Sequence, residues 1–435
     1  MPWAYEESTG PNVANFRGVM MHVDEWPEIR IGDLGDVLTG RTPPTERPAY
    51  FGKDYPFITP GDMHQGKYAR ATQRSVSHEG AELLKRIKVP ANSVCVSCIG
   101  WQMGEAIMSD KPSFTNQQIN TIVPSDRIDP SFLYYSLRPR KQELLSLGAT
   151  AGVRTPILNK SAFCDLKVRV PPLPAQQRIA KILSAYDELI ENNQRRIQIL
   201  EEMAHVLYRE WFVLFRFPGY EKTKLVSSLL GNIPKGWEVR PFSALANYTN
   251  GYAFKPDDWG KEGKPIIKIK ELKAGVTEDT PRNMGDEIPD KYNIYDGDVL
   301  FSWSADLDTY LWMGGEGLLN QHLFVVSPSA DFTRDYCLHA LKEAMPRFRA
   351  LSLGATMHHI KRSALDQVFL VVPTIDLRRR FEAFVEPIHL QLITLTKHVR
   401  NLRETRDLLL PRLLSGQVEL TIPDEMRPRE AMQTA

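Results

Sequence analysis

The chain has 435 residues, of which 42% are hydrophobic and 25% charged, so it can bury ordinary cores in more than one domain. Its 54 Lys and Arg residues balance 53 Asp and Glu residues, and this net charge of +1 does not by itself point to nucleic acid. We expect a cytoplasmic protein, because no apolar run could span a membrane, the start lacks a signal-peptide core, and four cysteines indicate no disulfide framework.

A six-residue segment, Leu-Ser-Leu-Gly-Ala-Thr, occurs twice, at residues 145–150 and 351–356. Weaker matches follow the same order in both halves: Gly40 corresponds to Gly251, and Asn116-Gln117 corresponds to Asn320-Gln321. Two copies of roughly 200 residues therefore fill most of the chain, a period too long for a solenoid or a propeller. Such a duplication predicts two similar domains suited to a target that itself has two halves.

Each copy has the same internal order. A segment rich in glycine, proline, aromatics and short β-branched runs predicts an α+β domain, and a proline-rich boundary then leads into a long helical pattern. The predicted organisation is an N-terminal arm (1–23), a first globular domain (24–171), a helical spacer (172–215), a linker (216–231), a second globular domain (232–373), a second helical spacer (374–416) and a polar tail (417–435).

The two helical segments carry apolar residues with alternating spacings of three and four, which is typical of a coiled coil. We predict that they pair with each other, although each helix could instead pack as core on its own domain. Asn193 is a polar residue on the seam that could fix its register, and Pro387 predicts a kink or an interruption of the second helix. The predicted seam comprises Ile179, Leu183, Tyr186, Ile190, Asn193, Ile197, Leu200, Leu207, Phe381, Val385, Ile388, Leu392, Leu395, Val399, Leu402 and Leu409.

Several short motifs, in order, resemble the specificity subunits of type I restriction-modification systems. They include Gly40-Arg41-Thr42-Pro43, the segment from Pro56 to Met63, Thr115-Asn116-Gln117, and the helix opening Pro171-Pro172-Leu173-Pro174-Ala175-Gln176-Gln177-Arg178. The resemblance covers residues 24–420. The second copy departs more, since Gly251-Tyr252-Ala253-Phe254 replaces the Gly-x-Thr-Pro turn and its helix opening lacks the glutamines.

The resemblance implies two target-recognition domains at opposite ends of an antiparallel coiled coil, each reading one half of a bipartite, asymmetric sequence in double-stranded DNA, with the coiled coil as a ruler for the gap. It implies a non-catalytic chain that acts in phage defence with two modification (methyltransferase) subunits and with restriction/translocase subunits. S-adenosylmethionine, ATP and Mg²⁺ are then expected on those partners, and no cofactor or metal is expected on this chain.

Enzymatic alternatives have weak support in the sequence. Residues 61–67 match the glycines and lysine of a phosphate loop, but Tyr68 stands where Ser or Thr must bind Mg²⁺. Asp257, Glu271 and Lys273 could form a metal-dependent nuclease triad, a pattern that is common by chance. A self-contained nuclease with fused specificity domains and a protein-binding scaffold therefore stay open as alternatives.

A single Cys-x-x-Cys pair, Cys95 and Cys98, occurs without a second pair. On a strand its two thiols would face opposite sides, so we expect neither zinc binding nor redox activity there.

Loop position and side-chain chemistry predict which residues contact DNA. Lysines neutralise phosphates, whereas Arg, Gln and Asn can pair with the edges of bases. For any one of them, an ordinary solvated side chain is an equal alternative, and Asn116-Gln117 and Asn320-Gln321 equally suit structural hydrogen bonds. The candidates are Arg41, Thr42, Gln65, Lys67, Arg70, Arg154, Tyr252, Lys268, Lys270, Lys273, His358 and Lys361.

Overall fold

The two halves of the chain build their sheets on one plan. In a computed structural model, which describes residues 26–64, 66–149, 155–351 and 362–418, the chain divides into two units. Residues 1–191 and 402–435 form the first unit, and residues 192–401 form the second. Both units contain strands and helices, so the predicted α+β class with a tandem repeat is confirmed.

The first unit contains short helices around small sheets. Its strands are β1 Glu28–Arg30, β2 Gly35–Thr39, β3 Phe51–Ile58, β4 Tyr68–Ala69, β5 Arg74–Val76, β6 Val94–Ser97, β7 Ala106–Ser109, β8 Phe114–Thr115, β9 Ile119–Pro124 and β10 Lys167–Arg169. Its helices are α1 Ile31–Leu34, α2 His78–Leu83, α3 Pro130–Leu137, α4 Lys141–Gly148 and α5 Lys160–Asp165, followed by α6 Leu173–Tyr208, which continues into the second unit.

The second unit follows, with the strands β11 Leu225–Ser228, β12 Gly231–Pro234, β13 Glu238–Pro241, β14 Ala246–Asn250, β15 Lys264–Ile267, β16 Arg282–Asn283, β17 Asn293–Ile294, β18 Val299–Ser302, β19 Asp308–Leu311, β20 Gly317–Leu319, β21 Leu323–Pro328 and β22 Phe369–Val372. A π-helical turn, Arg209–Val213, extends α6. The remaining helices are α7 Ile269–Ala274, α8 Arg334–Leu351, α9 Ala364–Gln367 and α10 Ile375–Leu414, the last of which ends in the first unit.

Strand order shows the duplication directly. The larger sheet runs β2-β9-β6-β7-β4 in the first unit and β14-β21-β18-β19 in the second. A parallel pair lies beside each sheet, β3 with β8 and β15 with β20, and a two-stranded ribbon closes each domain, β1 with β10 and β13 with β22. The repeated motifs found in the sequence therefore mark equivalent structural positions.

The matched glycines Gly40 and Gly251 have a shared steric reason. A Cβ atom on Gly40 would overlap the carbonyl oxygen of Asn116, and one on Gly251 would overlap that of Asn320. In both domains only glycine lets the chain leaving the sheet run so close to the Asn-Gln turn. This contact holds the Asn-Gln turn against the sheet.

The predicted helical seam lies on the protected face of both long helices. Every predicted seam residue is buried or half-buried. In the first unit, Ile179 and Leu183 near the start of α6 share a core with Leu410 and Leu413 near the end of α10. Within each unit the two helices therefore run in opposite directions, as predicted.

The second unit shows the same pairing from the other helix ends. Ala204, Tyr208 and Trp211, at the end of α6, share a core with Phe381 and Val385 near the start of α10. In these cores the helices also pack on the globular domains. The seam residues therefore serve both purposes considered above, pairing of the two helices and packing of each helix on a domain.

Pro387 does not interrupt the second helix, and the alternative of a kink there stays a prediction. Helix α10 continues from Ile375 to Leu414, and Pro387 lies exposed on its surface. The surrounding turns keep their hydrogen bonds and the apolar seam on the opposite face holds the helix together, so the loss of one N–H is tolerated.

The described helices include none that is long and apolar enough to cross a membrane.

Candidate nucleic-acid interface

Three turns of the first domain meet at one edge of the structure. The first turn, Pro60–Asp62, is held by a reciprocal cap in which the backbone N–H and the hydroxyl of Thr59 donate to Asp62 Oδ2 at 2.9 and 2.7 Å. The other carboxylate oxygen of Asp62 accepts from the backbone N–H of Gln73 at 2.9 Å. Asp62 is buried and fully used in this way, so the turn has a fixed shape.

The second turn, residues 98–105, joins β6 to β7. Gly100 and Gly104 have φ angles of +88° and +87°, a left-handed conformation that favours glycine. The N–H of Gly104 donates to Ser97 O at 2.8 Å, and the N–H of Gly100 donates to Pro156 O at 2.9 Å. The side chain of Trp101 is thereby carried on a turn that is anchored at both glycines.

The third turn carries the repeated Asn-Gln motif between β8 and β9. Asn116 Oδ1 accepts from the backbone N–H of Gln118 at 3.1 Å, and Asn116 Nδ2 donates to Gln118 Oε1 at 2.8 Å. The hydroxyl of Thr42 donates to Gln117 Oε1 at 2.8 Å. Asn116 therefore has a structural role, whereas Gln117 and Gln118 project at the surface in fixed orientations.

These turns enclose a cleft of about 370 Å³ that is open to solvent. Trp101 stands at its rim with 78% of its surface exposed, although an indole ring is ordinarily covered. Gln102 Nε2 lies 3.1 Å from His64 Nε2 beside it. The cleft is lined by Thr59, Pro60, Gly61, Ile99, Gly100, Trp101, Gln102 and Gln118.

The corresponding turns of the second domain carry different side chains. After β18, Trp303 Nε1 donates to Asn250 Oδ1 at 3.0 Å, and Ser304 Oγ lies 3.2 Å from His322 Nδ1. Gln321 Nε2 lies 3.5 Å from His322 Nε2 in the Asn-Gln turn. The two domains thus share a frame and differ in the polar groups that it displays.

Of the predicted contacts in the first domain, Arg41 and Thr42 lie beside these turns. The side chain of Arg41 is exposed, and its backbone N–H donates to Thr115 O at 2.9 Å. Thr42 contacts Gln117 as described above. Both residues are placed where a groove-bound ligand could reach them, and their role in DNA binding stays a prediction.

Lys67 and Arg70 face the helix instead. The ammonium of Lys67 donates to Ser131 Oγ at 2.8 Å and to Ser184 Oγ on α6 at 2.7 Å. Burial lowers the pKa of Lys67, although nearby carboxylates oppose that shift. Arg70 pairs with Glu191 on α6 and lies 3.8 Å from Asp110. Both cations therefore take part in packing the domain on α6, and the predicted DNA contacts of Lys67 and Arg70 stay predictions.

Of the four described candidates in the second domain, three contact other residues and one is exposed. Tyr252 packs its ring at 4.9 Å from Phe254 and pairs its backbone with Asn320, next to the Asn-Gln turn. Lys268 Nζ lies 3.8 Å from the ring centre of Trp259, and Lys273 pairs with Asp306. Lys270 is exposed.

Four candidates lie outside the described residues: Gln65, Arg154, His358 and Lys361.

The structure gives the residues of the suggested nuclease triad other partners. The carboxylate of Glu271 is buried, and it accepts from the backbone N–H of Lys268 at 3.1 Å as the cap of α7. Lys273 pairs with Asp306, and Asp257 is exposed in a short 3-10 helix. Among the described residues, no three His, Cys, Asp or Glu side chains are grouped as a metal site would require.

The two thiols of the Cys-x-x-Cys pair do lie on opposite sides of the sheet. Cys95 and Cys98 are both buried, and they belong to separate apolar cores. Burial raises the pKa of Cys95 to about 12 and that of Cys98 to about 11, so neither forms a thiolate readily.

Buried polar contacts join the first domain to the helices. The hydroxyl of Tyr135 donates to Asp187 Oδ2 at 2.5 Å, and Arg406 Nη1 donates to Asp187 Oδ1 at 2.6 Å. The side chains of Arg406 and Asp187 are 7% and 10% exposed, so this ion pair is largely withdrawn from water. We call these three residues the first junction.

The equivalent place in the second unit contains two histidines. His389 Nδ1 lies 2.7 Å from the buried carboxylate of Asp335, and His339 Nε2 lies 3.1 Å from His389 Nε2. Arg334 Nε donates to Asp335 at 2.7 Å. If His389 donates its Nδ1 proton to Asp335, its Nε2 accepts from a neutral His339. We call these four residues the second junction.

Residues that the sequence analysis did not single out form much of the candidate interface. Trp101, Gln102 and Gln118 line the cleft, and Trp303 and His322 lie on the corresponding face of the second domain. A signal was present, because two glycines flank Trp101 between buried strands, a pattern that predicts an exposed turn. Gln118, which follows Asn116-Gln117, is a second such signal, because a polar residue there is not needed for the core.

Comparisons with known proteins agree on one family. The family model for the type I restriction modification DNA specificity domain matches residues 23–202 and 234–398. The chain is 25% identical over 413 residues to the type I restriction enzyme MjaIX specificity subunit of Methanocaldococcus jannaschii, covering 91% of this chain and 94% of that protein. It is 34% identical over 178 residues to the HindI specificity subunit of Haemophilus influenzae, covering 40% and 39%. A crystal structure of the type I system S subunit from M. genitalium matches with a TM-score of 0.56 at 16% identity, covering 89% and 96%, and supports the fold.

Proposed function

Because the chain belongs to the type I restriction-modification DNA specificity family, we propose that it selects the DNA sequence on which partner subunits act. The first domain reads one half of a bipartite, asymmetric target in double-stranded DNA, and the second domain reads the other half. The observation that carries this proposal is the pair of equivalent faces. Their turns occupy the same places in the fold, while one face carries Trp101, Gln102 and Gln118 and the other carries Trp303, Ser304 and His322.

The long helices set the gap between the half-sites in this proposal. Helix α6 begins in the first unit and ends in the second, and helix α10 begins in the second unit and ends in the first. A change in helix length should therefore change the spacing without changing the reading faces.

The reactions themselves belong to partner subunits in this proposal. Two modification subunits would transfer a methyl group from S-adenosylmethionine, and restriction/translocase subunits would use ATP and Mg²⁺ to move and cut DNA. This chain would supply recognition and no catalysis, in the cytoplasm where it meets DNA. The alternative uses that Glu271 and Lys273 have in the fold support this division.

The test uses the full chain assembled with the modification subunits of its own system. A randomised duplex DNA library is incubated with the complex and S-adenosylmethionine, and methylated molecules are sequenced. The expected result is two short half-sites of unlike sequence separated by a fixed number of unread base pairs. A contiguous site, or methylation without sequence preference, would contradict the proposal.

A second experiment separates the spacer from the domains. Removing one heptad from each helix, in the middle of α6 and at the facing turns of α10, should shorten the unread gap and leave both half-sites intact. A changed half-site with an unchanged gap would contradict the spacer role. In parallel, the purified chain alone with Mg²⁺ should leave DNA uncut. Cleavage that Lys273→Ala abolishes would instead establish the nuclease alternative.

A further inference from the structure

We infer that the cleft of the first domain reads an adenine by its major-groove edge, with Gln118 as the hydrogen-bond donor and Gln102 as the acceptor. This inference rests on the proposed function and identifies one base of the half-site that the first domain reads.

The carboxamide of Gln118 is oriented by its neighbour. Asn116 Nδ2 donates to Gln118 Oε1 at 2.8 Å, which directs the oxygen of Gln118 towards Asn116 and leaves its NH₂ group to donate elsewhere. Asn116 is buried and is itself held by the backbone N–H of Gln118 at 3.1 Å. Gln118 therefore offers the cleft a fixed donor.

The carboxamide of Gln102 is oriented the other way. Its Nε2 lies 3.1 Å from His64 Nε2, and because an amide nitrogen can only donate, the imidazole nitrogen is the acceptor. The oxygen of Gln102 forms no hydrogen bond with the described residues, so it is available as an acceptor. The turn that carries Gln102 is anchored through Gly100 and Gly104, which keeps the side chain at the cleft.

One donor and one acceptor match a single base. In the major groove adenine presents the N7 acceptor beside the N6 amino donor, guanine presents two acceptors, cytosine presents a donor, and thymine presents an acceptor and a methyl group. Against guanine, the oxygen of Gln102 would face O6 and leave both acceptors without a proton. Adenine is therefore the single base whose two groups both find partners, whereas a G·C pair would satisfy the two glutamines only across both of its bases, through guanine O6 and cytosine N4.

The exposed indole of Trp101 supports the cleft as a binding surface. With 78% of its surface exposed on a turn of fixed shape, it presents a large apolar area to solvent in the free protein. Apolar side chains in the major groove contact the methyl group of thymine. The volume of about 370 Å³ is ample for the edge of a base pair beside the ring.

The test compares the methylated consensus of the full complex carrying wild-type chain, Gln118→Glu or Gln102→Met. Gln118→Glu keeps an oxygen for Asn116 and exchanges the donor for an acceptor. Adenine should lose to cytosine at one position of the first half-site, by roughly 5- to 150-fold. Gln102→Met keeps the length of the side chain and removes the acceptor, so the preference at the same position should relax. Gln142→Met, an exposed glutamine of the same domain outside the cleft, serves as the control and should leave the consensus unchanged.

The outcomes separate this inference from the proposed function. A wild-type consensus without two half-sites would contradict the function itself. A bipartite consensus in which either variant leaves every adenine position of the first half-site unchanged, or in which the variants act at a G·C pair, would overturn the inference alone. Changes spread over both half-sites would also overturn it, because the cleft would then not act as a local reader.

Discussion

The first and second junctions occupy equivalent places and use different chemistry. Tyr135 and His339 are each the sixth residue of their helices, α3 and α8, while Asp187 and His389 are each the fifteenth residue of α6 and α10. In the first junction a phenol and a guanidinium contact the carboxylate, and in the second a guanidinium and a histidine contact it, with a second histidine against the first. Duplication has kept the position of a buried polar link and changed its sensitivity to pH.

The two copies keep the same residue where backbone packs on backbone, and they differ in residue type where side chains contact one another. The glycines beside the Asn-Gln turns have been kept in both domains because any Cβ would clash with a backbone carbonyl. A buried polar contact can be rebuilt from several residue types as long as each buried group finds a partner. The exposed turns of the two domains can differ for the same reason, because their side chains are not fixed by backbone packing.

The largest effect is expected from truncating equivalent core residues of the two helices, Phe381 in α10 and Ile179 in α6. Phe381 packs in edge contacts, 5.0 Å from Phe212 and 5.9 Å from Tyr208 between ring centres. Phe381→Ala should lower the free energy of unfolding of the second unit by about 4 kcal/mol, and Ile179→Ala that of the first by about 3 kcal/mol. Hydrogen exchange measured separately in the two units would show this.

Leu390→Ala, at a position that is 54% exposed on α10, is the control and should change little. Equal protection loss throughout the chain from either core variant would contradict an assignment of the two cores to separate units.

Breaking the first junction should be nearly as costly. Arg406→Met leaves the buried Asp187 with only the longer contact to Arg138, at 3.8 Å, as a guanidinium partner, and we expect a loss of up to about 3 kcal/mol in the stability of the first unit. The double variant Asp187→Asn with Arg406→Met should recover part of this loss, because no unpaired charge remains. The measurement is denaturant unfolding, with Arg412→Met, exposed in the same helix, as the control. A double variant as unstable as the single one would argue against the charge as the cause.

The proline in α10 offers a gain in stability. Pro387 is exposed and the helix continues through it, so Pro387→Ala should restore one backbone hydrogen bond and raise stability by about 2 kcal/mol. Thermal unfolding would detect the increase, and Gln391→Ala at a nearby exposed position should change stability by less than about 0.5 kcal/mol. No gain from Pro387→Ala would mean that the helix at this point is shaped by something other than its own hydrogen bonds.

The second junction and the nearby Glu382, whose carboxylate accepts from the Thr333 hydroxyl at 2.5 Å, should respond to pH in opposing directions. His205, whose ring centre lies 6.0 Å from that of His339, also has its pKa lowered by burial and acts in the same direction as His339. Burial beside His389 lowers the pKa of His339 well below 6.5. The unfolded chain therefore takes up a proton that the folded chain refuses, and stability falls as the pH drops below 6.5. Burial, with the Asp335 carboxylate nearby, raises the pKa of Glu382 from 4.5 to about 7. The folded chain then holds a proton that the unfolded chain loses, so this contribution disappears as the pH rises towards 7.

Between pH 4.5 and 6.5 these two slopes oppose each other, and each is at most about 1.4 kcal/mol per pH unit. Burial would raise the pKa of Asp335, but hydrogen bonds from His389 and Arg334 outweigh it and lower the pKa to about 2, so Asp335 stays ionised. His339→Gln should make the second unit more stable at about pH 5 than at pH 7, and Glu382→Gln should do the reverse.

Denaturant unfolding across this range measures both slopes. His398→Gln, an exposed histidine of the same unit, should leave them unchanged. Parallel pH profiles for the two junction variants would show that His339 and Glu382 do not titrate as described.

Much of the architecture followed from the sequence because the relevant signals are local or periodic. The seam positions recur at helical spacing, and all of them lie on the protected side of α6 and α10. The Asn-Gln repeat marked equivalent turns, and the alternation of side chains along a strand correctly separated Cys95 from Cys98. These patterns depend on neighbours in the chain, so they can be read without the fold.

The candidate contacts were harder to predict, and Lys67 shows why. Its loop position and its charge predicted a phosphate contact, but its ammonium is held by Ser131 and Ser184, residues far from it in the chain. Conversely, nothing in the sequence distinguishes Gln102 and Gln118. Asn116 orients Gln118 so that its NH₂ group is free to donate, and His64 orients Gln102 so that its side-chain oxygen is free to accept.

The sequence by itself determined the duplicated α+β plan, the paired helices and the family to which the chain is similar. Those features arise from periodicity, from steric demands at glycines and from the order of short motifs, all of which are written along the chain. Only the tertiary structure decided which polar groups are consumed by packing and which remain to bind a partner. That outcome depends on contacts between residues distant in sequence, because a hydrogen-bond donor is free only if nothing that folds beside it takes the bond.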